Sequence, residues 1–198
     1  MLSVSSINKA LLLLGIVCVA IMACNDKTSP KPQVAGPRKL LPEEADSIVS
    51  LLSEPSADST GKLGARVKGK LSAPYMRRYD RNDSPYAEFP RSLHVDFYND
   101  SLKTESQLDA LYGKYFSSLD KVFLRDSVVV KNLQKGDTLR CQELWWDQHT
   151  EKFTTDKPVR IYTPDKVLYG TGMEADQNFR WYIIKKLTGT VMNSEMPK

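Results

Sequence analysis

The sequence predicts an all-β domain, and three observations carry that prediction. From Leu63 onward apolar residues recur with a period of two: Val95 and Phe97 alternate with His94, Asp96 and Tyr98, and Val128 and Val130, then Val159 and Ile161, follow the same rule. Turn-forming clusters punctuate these runs at Asn99-Asp100, Lys135-Gly136-Asp137, Asp147-Gln148-His149 and Pro164-Asp165. No long stretch after residue 63 presents a helical stripe. About ten antiparallel strands joined by hairpins satisfy this pattern.

The 198 residues suit one domain with a sizeable core. All eighteen aromatic residues fall between Tyr75 and Tyr182, whereas five of the eleven prolines lie between Pro30 and Pro55. The packed domain is therefore expected over residues 63–191, after a tether and before a short polar tail at 192–198. A formal charge of +4, with Lys and Arg interleaved among Asp and Glu, leaves no concentrated basic stripe for nucleic acid.

The N-terminus carries its own signal. Lys9 precedes an apolar run from Ala10 to Ala23, which ends Ile21-Met22-Ala23-Cys24 before the polar Asn25-Asp26-Lys27. As a helix this run would span about 21 Å, short of the roughly 30 Å hydrocarbon core of a bilayer. Length and flanks favour a signal-peptide apolar region over a permanent span. Small or apolar residues directly before a cysteine resemble the lipobox of bacterial lipoproteins, in which Cys24 would become the lipid-modified first residue of the mature chain. An ordinary cleaved signal peptide and an uncleaved short anchor are the alternatives. Residues 1–23 are expected to leave as the signal peptide, and residues 24–62 to form a lipid-anchored tether.

Within that tether, Pro42-Glu43-Glu44 opens a predicted short amphipathic helix, with Ala45, Ile48, Val49 and Leu52 on one face and Pro55 ending it. In an exported protein Cys18 leaves with the signal peptide and Cys24 is acylated. Cys141 is then a lone thiol on a predicted strand, with no partner for a disulfide and no nearby His to activate it.

The β region also contains a loose repeat. Residues 92–110, 127–146 and 158–175 each give an alternating strand, a turn with Asp (Asp100, Asp137, Asp165) and a second strand. Hairpins stacked in this way build a sheet whose terminal strands are open edges, available to another chain.

The stretch from Ala87 to Val191 resembles the periplasmic lipopolysaccharide-export component LptC. The resemblance rests on V-R-I-Y (159–162) and L-Y-G-T-G-M-E-A-D (168–176), which follow G-D-T-L-R-C-Q-E-L-W-W-D (136–147). It implies an antiparallel, jellyroll-like folded sheet whose two layers enclose an apolar groove. It further implies that the groove receives lipopolysaccharide acyl chains from an inner-membrane ABC transporter and passes them to a periplasmic bridge protein of similar fold. That family commonly carries an uncleaved transmembrane helix, whereas here the apolar run ends at Cys24. A lipid anchor, expected at the inner membrane, would serve the same purpose. Asn25 stands where an Asp often signals inner-membrane retention.

Enzyme chemistry finds little footing. The two histidines lack a ligand set: His94-Val95-Asp96 places two polar groups on one strand face without a third, and His149 sits in a predicted turn. Neither a metal site nor a cofactor is expected. The Glu43-Glu44 pair has a helix-start explanation. G-x-S-x-G, Walker and GxGxxG motifs are absent, and Gly170-Thr171-Gly172 reads as strand curvature or a bulge.

Two non-enzymatic readings remain: a lipid conduit, and a lipid-anchored scaffold or adhesin-like module without internal ligand. For the conduit, alternation selects Val95, Phe97, Leu124, Val130, Leu139, Trp146, Phe153, Ile161, Met173 and Ile183 as groove candidates. Periodicity alone cannot distinguish a lined groove from a closed core of the same residues; the family resemblance favours the groove. The partner edge is expected in the last strand, with Phe179, Trp181 and Ile183 on one face and Arg180, Tyr182 and Ile184 on the other.

Overall fold

The computed structural model describes residues 41–57, 63–80 and 84–192. The signal-peptide run, Cys24, most of the tether and the polar tail lie outside these residues. Eleven strands and no helix occur among the described residues: β1 (Glu43–Ala57), β2 (Leu63–Tyr79), β3 (Tyr86–Phe89), β4 (Leu93–Tyr98), β5 (Thr104–Ala110), β6 (Tyr112–Phe116), β7 (Lys121–Asn132), β8 (Thr138–Asp147), β9 (Lys152–Tyr162), β10 (Lys166–Asp176) and β11 (Tyr182–Met192). All pairings are antiparallel. The domain is the antiparallel, folded-over all-β structure that the sequence leads one to expect.

The helix expected over residues 42–53 is instead strand β1. It pairs with β2 along its whole length, from Glu43 opposite Arg78 to Ala57 opposite Leu63. A twelve-residue helix is marginal in water unless its apolar face is buried. Ile48 and Leu52, spaced by four, share a face in a strand as well as in a helix, and in the strand they pack against the core. Pro55 is tolerated because β1 is an edge and pairs on one side alone. Cross-strand ion pairs, Glu44 with Arg77 at 3.3 Å and Glu54 with Arg66 at 3.1 Å, match the register. The packed domain thus begins some twenty residues before the expected boundary at Leu63.

A line of irregularities folds the sheet into two layers. Ser47 in β1 has φ 57° at the gap in the β1–β2 register between Asp46–Tyr75 and Ile48–Ala73. In β7, Asp126 and Ser127 have φ 64° and 56° where the register with β8 skips from Arg125 to Val128. The β8–β9 register skips between Cys141 and Trp145, and Gly172 in β10 has φ 73° at the skip from Thr171 to Met173. A bulge bends its strand, and these positions line up across neighbouring strands as one corner. Long strands cross it and serve both layers. β4 and β5 belong to the first layer alone, while β3 and β6 belong to the second, where they bridge β2 and β7.

The core lies between the layers. Phe97 of β4, in the first layer, meets Trp146 of β8 edge-on at 5.0 Å and Phe153 of β9 at 6.0 Å, both in the second. Each predicted repeat forms one hairpin around its Asp-containing turn: β4–β5, the second half of β7 with β8, and the second half of β9 with β10. Open edges remain at β1 and β11.

Candidate functional site: an apolar groove beside the first edge

The layers diverge toward β1, leaving a groove between them. Its inner part, about 520 Å³, is lined by Ile48, Leu52 and Leu71 from the first layer and by Met76, Ala87, Phe89, Tyr115 and Val122 from the second. Leu52, Tyr115 and Gln148 also line an adjoining mouth of about 900 Å³, which reaches Phe97 and Trp146. Alternation explains the lining: Ala87 and Phe89 are the inward residues of β3, and Val122 is the first inward residue of β7.

Charge is confined to the rim. Lys68 Nζ stands 3.5 Å from both Glu54 and Glu151, the second of these across the mouth, and Arg66 lies 3.0 Å from Asp100. Arg78 donates to Asp80 at 2.7 Å at the other end. Tyr115 places its ring in the groove while its hydroxyl donates to Asp120 at 3.2 Å. Burial, reinforced by that carboxylate, raises its pKa, so the phenol stays neutral. The site therefore offers contact area with few buried polar groups, which suits an apolar ligand with a charged head left in water.

The ten groove candidates divide. Val95, Phe97, Leu124, Val130, Leu139, Trp146, Phe153, Ile161 and Met173 all face the interior, none more than 2% exposed. Of these, Phe97 and Trp146 border the groove; the other seven sit in the packed core beyond it. Ile183 is 62% exposed and faces outward. The expected edge strand starts later than the sequence implied. Phe179, Arg180 and Trp181 precede β11, in the link from β10, and Phe179 is fully buried there rather than on the edge. That link breaks the alternation, so Tyr182 and Ile184 pack toward the core.

The sequence reading missed Ile48, Leu52, Met76, Phe89, Tyr115 and Val122. Val122 and Leu124 alternate in the sequence and were accessible to the same argument; Ile48 and Leu52 were hidden by the helical assignment.

Two groups that the sequence singles out, His94 and Cys141, have structural explanations. His94 binds Asp109 at 2.7 Å and Asp96 at 3.2 Å on the outer face of the first layer, and no cluster suited to a metal ion occurs among the described residues. Cys141 is buried, and burial pushes its thiol pKa up to about 12. No helix among the described residues is long and apolar enough to cross a membrane.

The folded two-layer sheet with an apolar groove bears on the comparison with known families. The family model described as lipopolysaccharide-assembly, LptC-related, matches residues 10–186. The chain belongs to the LptC-related family. No curated protein matches it. Membership in the LptC-related family carries a role in lipopolysaccharide transport and an association with the periplasm and inner membrane. The family supplies a transport component, and the groove has the chemistry that a glycolipid's acyl chains require.

Proposed function

We propose that the groove beside β1 holds the acyl chains of lipopolysaccharide released by an inner-membrane ABC transporter. The open edge of β11 docks the periplasmic bridge protein that receives them, and Cys24 bears the lipid that tethers the chain to the inner membrane. The observation that carries this reading is the apolar trough between the layers, with its ionic groups at the rim. Each buried methylene contributes about 0.8 kcal/mol, so several acyl segments are held without a charged contact.

Photo-crosslinkers tested one at a time at Leu52, Phe89 and Tyr115 should capture lipopolysaccharide, while one at the outward Arg160 should not. Equal labelling at all four positions would mean surface adsorption and would favour the scaffold reading. Pro substitution at Ile184 in β11 removes a ladder donor opposite Met173; it should weaken capture of the bridge protein while labelling at Leu52 persists. Cys24→Ser should leave an unlipidated, slower-migrating precursor. Normal maturation of that variant would remove the anchor from the proposal.

A further inference from the structure

The hairpin ends of the two layers face each other on the side opposite the corner, and a strap ties them together part-way along. Residues 177–181, between β10 and β11, leave the second layer and cross to the first. The Gln177 N–H donates to Glu151 O at 2.9 Å. From the first layer, Ser106 Oγ donates to Gln177 O at 3.2 Å and Asn132 Nδ2 to Asn178 O at 2.8 Å. Asp176 secures the return, its carboxylate accepting from Arg180 N at 2.6 Å, Arg180 Nε at 2.7 Å and Trp181 N at 3.0 Å. At the apex, Phe179 is fully buried with φ 52°. Few bulky residues adopt that conformation; its ring, stacked on Tyr182 at 5.1 Å, is what the conformation delivers to the interior.

The strap divides the interior. On the β1 side lies the groove, with Gln177 at its limit, held by Trp146 Nε1 at 3.3 Å. On the β11 side, Tyr182 and Ile184 pack against the core. Between them the rings of Phe97, Trp146 and Phe153 interlock. An acyl chain entering beside β1 therefore meets a wall before it reaches β11. The strap is fastened to the first layer by side chains gripping backbone carbonyls, not by a strand ladder. Such contacts can open locally without unzipping β10 from β11.

We propose that the 177–181 strap sets the depth to which an acyl chain enters and gates its passage from the β1 groove to the inner face of β11. This rests on the groove reading above. With the strap closed, chains are held on the β1 side; with it open, Phe179 withdraws from the cluster it shares with Phe97, Trp146 and Phe153, which frees those rings to part.

The test uses the full chain, purified lipopolysaccharide and a photo-crosslinker at either Leu52, in the groove, or Ile184, beyond the strap. Ser106 Oγ lies 3.4 Å from Asn178 Oδ1, so the pair Ser106→Cys and Asn178→Cys should lock the strap when oxidised, with bridge formation checked by mass spectrometry. Oxidised protein should label at Leu52 as the reduced protein does, while labelling at Ile184 falls at least tenfold. Asn132→Ala, which frees the strap from β7, should raise labelling at Ile184 severalfold with Leu52 unchanged. Equal labelling at Ile184 in locked and reduced protein, or none there in any state, overturns the gate while leaving the groove intact. Loss of labelling at Leu52 in the otherwise native chain overturns the groove reading itself, and the gate with it. If Asn132→Ala fails to fold, the oxidised and reduced pair decides the matter alone.

Discussion

Truncating Phe153 to Ala separates a closed core from a lipid-lined channel. The side chain is 0% exposed, and its ring centroid lies 6.0 Å from Phe97 and 6.2 Å from Trp146. Contact on all sides means that the substitution loses both transfer free energy and packing around the cavity it leaves, about 3–5 kcal/mol. In a chain of this size each kcal/mol moves the melting temperature by about 2–4 °C, which gives a fall of roughly 6–20 °C. Leu52, half-buried on the groove wall, has fewer neighbours, and Leu52→Ala should cost only about 1 kcal/mol. Equilibrium urea unfolding followed by tryptophan fluorescence reads both, because Trp146 sits in the cluster. Leu52→Ala should weaken lipopolysaccharide capture more than it weakens the fold, and Phe153→Ala the reverse. A loss below about 1.5 kcal/mol for Phe153→Ala would refute the assignment of this position to the packed core. So would a loss that saturating lipopolysaccharide restores.

Three further outcomes are expected. Cys141, with its thiol pushed up to about 12 by burial, should resist maleimide at pH 7.5 in the folded chain and react only on unfolding; prompt native modification would show that β8 opens at that point. For His94, burial lowers the pKa, but hydrogen bonds and charge from Asp109 and Asp96 outweigh it and raise the value above the ordinary 6.5. A raised folded pKa stabilises fully below 6.5 and ceases to do so as pH rises through the folded value. The difference in urea midpoint between wild type and His94→Ala should therefore be larger at pH 6 than at pH 8.5, and an opposite trend would reverse the assignment. A Cβ at Gly170 would press on the Ile184 side chain and lie 2.8 Å from Lys186 O. Gly170→Val should therefore loosen β11 and speed amide exchange there, while β7 and β8 keep their protection; uniform loss of protection would show that β11 is needed for the whole fold.

Much of the fold could be read from single residues and their neighbours. Alternation is a local property, so Val95, Phe97, Leu124, Val130, Leu139, Trp146, Phe153, Ile161 and Met173 identified themselves as interior. The Asp-containing turns likewise located hairpins that the structure contains. Alternation does not survive an interruption. Ile183 was assigned inward by counting from Phe179, but the turned link before Tyr182 resets the parity and leaves Ile183 in solvent. The segment after Pro42 failed for a different reason: a spacing of four fits both periods, and the deciding partner is another strand, β2.

Local pattern is enough to show that the chain folds as hairpins with open edges and that a set of apolar residues turns inward. These follow from side-chain direction along a strand, which the backbone repeats every two residues. Which inward residues border a groove and which are packed away emerges only when the layers come together. That depends on where the corner bends each strand, on how far the layers diverge beside β1, and on the strap that closes them near Gln177. Such contacts join residues more than forty positions apart, such as Asn132 and Asn178. No local period encodes the distance between two layers, because that distance is set by the sum of all the side chains packed between them.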